Sequence, residues 1–154
     1  MTPFTLTDFR TVFGDGSVRV LLDWDALVGC EVDLRVSRSR DLLGGLFTVW
    51  YAGGAEFDAD DARPLRVRDA VDERPDRIAA IEASLRAADR PVQLTLPVYA
   101  LPGAGHLLLD ATHRSVAAFR SGLPVRLLLF ALHGPLDPAV LPDLRHHAAT
   151  PPPR

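Results

Sequence analysis

Five consecutive residues, Asp110-Ala111-Thr112-His113-Arg114, gather a carboxylate, a hydroxyl, an imidazole and a guanidinium. They fall between the apolar run "HLLLD" and the stretch "SVAAFRSGLPVRLLLFAL". A strand that turns directly into a helix leaves the first helical N–H groups unpaired, and the helix dipole adds partial positive charge there. Such a turn is a ready anion site. Arg114 would add a fixed cation with a planar fork of donors, His113 a further donor, and Thr112 and Ser115 their hydroxyls. Asp110 would hold a metal ion, orient a donor or cap the helix. This set suits phosphate binding, and phosphoryl transfer, where positioning and electrostatics carry most of the catalysis. A plainer reading stands beside it on spacing alone. Asp or Thr at a helix start is ordinary capping, Arg114 can pair with a neighbouring carboxylate, and no Walker-type glycine loop is present.

The elements around the turn follow from periodicity. Residues Pro75–Ala88 read as a helix: Ile78, Ile81, Leu85 and Ala88 make one apolar stripe, Glu82 and Arg86 form an i,i+4 pair, and Pro75 suits the first turn. "PVQLTLPVYAL" reads as a strand with Val92, Leu94, Leu96 and Val98 on one face. Pro97 argues for an edge or a bulge there. "HLLLD" and "PVRLLLFAL" are apolar on both faces and read as interior strands. The helix between them, His113–Ser121, stops at Gly122. Upstream, Ser17–Trp24, Cys30–Ser37 and Leu46–Ala52 have strand character, punctuated by Gly14-Asp15-Gly16 and Gly44-Gly45. They read as an antiparallel meander. An acidic, proline-bearing loop with a short strand near Leu65–Val67 separates it from the rest. Asp137-Pro138 reads as the start of a short helix.

The segment "LLLDATHRSVAAFRSGLPVRLLLF" resembles the signature of the ParB/sulfiredoxin superfamily: strand, Asp-Gly-x-x-Arg, small-residue helix, Gly, strand. The preceding "DRIAAIEASLRAADRPVQLTLPVYAL" is similar to the superfamily's helix and first core strand, so the resemblance covers about Val67–Leu132. Within it, the motif resembles the Asp-Gly-Thr-His-Arg of the ParB-like free serine kinases, with Ala111 where that family prefers glycine. The resemblance implies that Thr112, His113, Arg114 and Ser115 receive nucleotide phosphates, with Asp110 and His113 in the catalytic set. It implies ATP or ADP with Mg²⁺ as cofactor. It also implies an acidic general base before the upstream helix, where "VRDAVDERPDR" offers Asp69, Asp72 and Glu73; Asp69 and Glu73 are the choices. Sulfiredoxin-like enzymes resemble this arrangement but carry cysteine where Thr112 stands. Partition proteins of the superfamily carry a helix-turn-helix domain, for which the ~20 residues after Leu132 are too few.

Composition narrows the classes. The chain has 154 residues, 47% hydrophobic and 24% charged, with net charge −3. That balance suits a packed core and gives no global pull toward nucleic acid. No apolar run is long enough to span a bilayer, and the N-terminus lacks a signal pattern. The single Cys30 forms no internal disulfide, which together make a cytoplasmic location the expectation. Cys30 reads as a small buried residue, Trp24, Trp50 and Tyr51 as core, Asp58, Asp60 and Asp61 as a solvated loop, and His146-His147 as a solvated tail. His106 and His133 flank the core strands without an evident partner. No metal site is expected from the protein alone.

The expectation is an α+β (mixed α/β) fold: a small ParB/sulfiredoxin-like mixed sheet with flanking helices, plus an N-terminal antiparallel β extension. Residues 1–60 form the extension, 61–148 the core and 149–154 a disordered tail. The expected function is a small-molecule enzyme transferring a phosphoryl group from a nucleotide to a small hydroxylated amino acid or metabolite. Two alternatives remain: a nucleotide-independent enzyme that binds a substrate carboxylate or phosphate at the turn, and a non-catalytic nucleotide-binding regulator.

Overall fold

The computed structural model describes residues 5–18, 21–60, 62–70, 75–88 and 90–147. In chain order the elements are α1 (Leu6–Ser17), β1 (Glu31–Ser37), α2 (Arg40–Gly45), β2 (Phe47–Tyr51), β3 (Pro64–Arg66), α3 (Pro75–Ala87), β4 (Val92–Ala100), β5 (His106–Leu108), α4 (Thr112–Ser121) and β6 (Val125–His133). Short 3-10 turns occupy Trp24–Leu27, Val67–Asp69 and Pro142–His146, among others. The class is α+β. One mixed six-stranded sheet has the order β1-β6-β4-β5-β2-β3.

Two apolar layers sandwich the sheet. On one face Ile78 and Leu85 of α3, Leu43 of α2 and Val116–Ala118 of α4 meet Leu94, Leu96, Leu127 and Leu129. On the other, Phe9 and Phe13 of α1, with Leu27, Leu141 and Leu144, meet Tyr99, Leu107 and Leu132. Alternation along β4 supplies this directly: Val92, Leu94, Leu96 and Val98 are all buried on the α3/α4 side. Each such side chain removed from water contributes about 1.5–3 kcal/mol before the entropy of ordering it.

Several expectations need correction. The first 60 residues do not form a meander. β1 pairs antiparallel with β6 at one edge, while β2 pairs parallel with β5 and antiparallel with β3 at the other. Both strands pair with strands distant in sequence, which alternation cannot reveal. Among the described residues of Ser17–Trp24 no strand forms: Ser17 ends α1 and Trp24 opens a 3-10 turn. The signal for α1 was present: Thr5 and Asp8 form a reciprocal capping box, and Phe9 and Phe13 lie four apart on the buried side.

β4 is central rather than an edge, flanked by β6 and β5. Pro97 is tolerated because a residue's N–H and C=O point to the same side of a strand. Pro97 O accepts from Leu109 N at 2.9 Å, just beyond the last ladder pair, Val98 with Leu108. The missing N–H therefore faces the place where β5 gives way to the turn, and the parallel ladder to β6 is unbroken. Asp137-Pro138 makes a turn, with Asp137 Oδ1 accepting from Ala139 N at 2.9 Å. The helical turn instead begins at Pro142. β5 and β6 are interior strands, as their two-sided apolarity implies. The 149–154 tail lies outside the described residues. Among the described residues no helix is long and apolar enough to cross a membrane.

Candidate functional site at the start of α4

β5 ends at Leu108, and the chain reaches α4 through Leu109, Asp110 and Ala111. Ala111 is the N-cap and adopts φ 65° and ψ 27°, the left-handed region; it is the one described non-glycine residue with positive φ. This is the conformation that a glycine would take without cost and that costs an L-residue roughly 1–2 kcal/mol. The backbone therefore follows the path expected of glycine although the residue is alanine.

The plainer reading of the turn rested on capping and pairing, and neither occurs. Ala111 has no side-chain oxygen, and α4 has no side-chain cap hydrogen bond. Ser115 N is the first amide of α4 to reach a backbone acceptor, Ala111 O at 2.9 Å. The N–H groups before it lie at the dipole's positive end. Arg114 is exposed and forms no ion pair among the described residues. Asp110 is half-buried and makes no hydrogen bond or ion pair there either.

The side chains of the turn point in different directions. Arg114 lines a cavity of about 470 Å³ with Arg90, Gln93 and Ser84, between the end of α3 and the start of β4. Arg90 likewise has no ion-pair partner among the described residues. His113 turns the other way, its ring edge on Trp50 of β2 with centroids 4.8 Å apart. Trp50 packs against the α3/α4-side core as expected, and no spacing signalled that it would also meet the imidazole of the turn. Thr112 is buried, 7% exposed, and Ser115 is fully buried with an Oγ that finds no hydrogen-bond partner. The Ser115 hydroxyl, expected to reach an anion, thus faces the packed side of α4 and not solvent.

Of the expected general bases, Asp69 is exposed at the end of the 3-10 turn Val67–Asp69, which packs against α4. Asp72 and Glu73 lie outside the described residues.

Other expectations resolve as follows. His133 Nε2 meets Asp33 Oδ2 at 2.7 Å across the β1–β6 edge. Cys30 is half-buried against the α1-side core rather than fully buried. Trp24 joins that same core, and Tyr51 is buried with its hydroxyl donating to Asp143 at 2.5 Å. Asp60 pairs with Arg145 at 2.8 Å, and Asp61 lies outside the described residues. His146 and His147 do not lie on a solvated tail. The 3-10 turn Pro142–His146 folds them back, so that His146 Nε2 donates to Phe57 O at 2.6 Å and the His147 ring packs edge-on against Phe47 at 4.7 Å. Burial pushes the His147 imidazole down to about 4, with a smaller opposing pull from Asp143.

Compared with known proteins, the chain matches no family model, no curated protein and no solved structure.

Proposed function

We propose that the start of α4 binds the phosphate of a nucleotide, and that the chain is a small-molecule phosphotransferase acting on a small hydroxylated acceptor. The observation that carries this is an uncapped helix start beside a guanidinium that is unpaired among the described residues. Ala111 takes the glycine-like path, no side chain caps the helix, and Arg114 lines a cavity with Arg90 where no carboxylate stands among the described residues. Outward N–H groups at a helix start with a permanently charged guanidinium on its first turn are what phosphate binding needs.

Asp110 fits the Mg²⁺ that such a reaction uses. Among the described residues it is an unpaired, half-exposed carboxylate at the same turn, and Mg²⁺ is commonly held by one or two carboxylates plus phosphate oxygens and water. The metal would neutralise charge on the transferring group. Arg114 would hold phosphate oxygens, Trp50 would fix the His113 ring, and Asp69, on the turn that packs against α4, is the candidate to accept the acceptor's proton.

A thermal-shift panel with ATP, ADP, CTP and simple carboxylates, with and without Mg²⁺, tests the proposal. A nucleotide shift that Arg114→Ala removes supports it. Absence of any nucleotide shift sinks it, and a shift with carboxylates alone favours a nucleotide-independent enzyme on the same scaffold.

A further inference from the structure

At the opposite end of β5 lies a second cavity, of about 500 Å³, whose walls come from α2, the start of β2, the β4–β5 hairpin and the end of the Pro142–His146 turn. Its polar side chains are Arg66, Arg68, His106, His146, His147 and Asp41. Two guanidinium groups converge there on one point. A methyl group built on Gly45 would sit 3.7 Å from Arg66 Nη1 and 3.8 Å from Arg68 Nη1. Like charges on one wall repel, and a structure normally sets a carboxylate beside them. Here neither arginine is within ion-pair distance of a carboxylate among the described residues.

Arg66 is fixed rather than free to swing away. Its Nη1 donates to Gly45 O at 3.1 Å, and its guanidinium stacks on Phe47 at 4.3 Å from the ring centroid. The remaining donors of its fork are held in place, which lowers the entropy lost on binding an oxyanion. Arg68, exposed on the neighbouring turn, supplies the second cation. His106 and His147 are disfavoured as cations by burial, so they act as neutral hydrogen-bonding groups. Among the described residues Asp41 is the one carboxylate on the wall, which leaves the cavity net positive. Leu42, Leu101 and Pro102 give it an apolar side. The size falls within the range of small-molecule sites.

We propose that this cavity binds a small metabolite bearing a carboxylate or phosphate, its oxyanion held between Arg66 and Arg68 and its carbon skeleton against the β4–β5 hairpin. This site is separate from the one at α4 and stands whether or not α4 binds nucleotide.

The full-length chain is titrated with inorganic phosphate and, separately, succinate, while the imidazole resonances of His106 and His147 are followed by NMR, with His113 as the reporter of the α4 turn. Saturable shifts at His106 and His147 are expected with at least one probe, and which probe binds more tightly separates a phosphate from a carboxylate ligand. Arg68→Ala should weaken that binding at least tenfold. Arg68→Lys, which keeps the charge and loses the fork, should fall between. Arg114→Ala should leave these shifts unchanged. The proposal is overturned if neither probe moves His106 or His147, or if Arg68→Ala binds as the wild-type chain does. It is equally overturned if Arg114→Ala abolishes the His106 and His147 shifts.

Discussion

The two ends of β5 are built on opposite plans. From His106 to Leu109 the chain spans only roughly 10 Å, yet it separates a helix-start site from a side-chain site. At the α4 end the donors are backbone amides, presented by a left-handed Ala111, and the side chains diverge: Arg114 toward Arg90, His113 onto Trp50, Ser115 into the core. At the other end side chains from five separate elements converge. The difference teaches what each end can recognise. Fixed amides with a helix dipole suit a phosphate approaching along the helix axis. Two guanidinium forks beside neutral imidazoles suit a small oxyanion enclosed by a cavity.

The largest stability effect that separates the ends is acid sensitivity at the histidine end. Burial holds the folded His147 at about 4, whereas the unfolded residue titrates near its ordinary value of 6.5. Between these values the unfolded chain binds more protons than the folded one. Stability present above pH 6.5 is therefore lost as pH falls toward 4. Allowing for partial exposure, about 2 kcal/mol is expected from this group. His106, also pushed down by burial, acts in the same direction. Urea unfolding at pH 7 and pH 4.5 checks this: His147→Gln should lose less stability on acidification than the wild type, and an equal loss would refute the assignment.

A smaller effect belongs to the α4 end. Ala111→Gly relieves the left-handed strain and should stabilise the fold by about 1 kcal/mol, raising Tm by about 3 °C. If stability falls, the φ of 65° is not the ground-state conformation. The smallest effect is at Ser115. Removing its buried, unpartnered hydroxyl with Ser115→Ala should be neutral or stabilising by up to about 1 kcal/mol. A clear destabilisation would mean the hydroxyl is bonded after all and would blur the distinction between the packed and open sides of α4.

The legibility of the two ends in the sequence differs for the same reason that their construction does. The α4 turn is contiguous, so strand, turn, helix and Gly122 stop were all visible as local pattern, and the helix and strand before it with them. The second cavity draws on Asp41, Arg66, Arg68, His106, His146 and His147, spread over more than a hundred residues. No spacing rule joins them. The one available hint was Arg66-Val67-Arg68, an i,i+2 pair that extended backbone would put on one side. Other misreadings share this origin. β1 and β2 alternate as strands should, but alternation does not name a partner. The β4 proline looked like an edge signal because the position at which β5 ends cannot be seen from β4. His146 and His147 looked like a tail because the buried Tyr51–Asp143 contact beside them is a pairing of residues 92 positions apart.

The most direct test is a backbone-amide NMR titration of the full chain with ATP and Mg²⁺. Binding at the start of α4 should shift the amides of Thr112, His113 and Arg114 first and most, and Arg114→Ala should abolish the shifts. Shifts confined to Arg66, Arg68 and His106, or no saturable shift at all, would contradict phosphate binding at the turn.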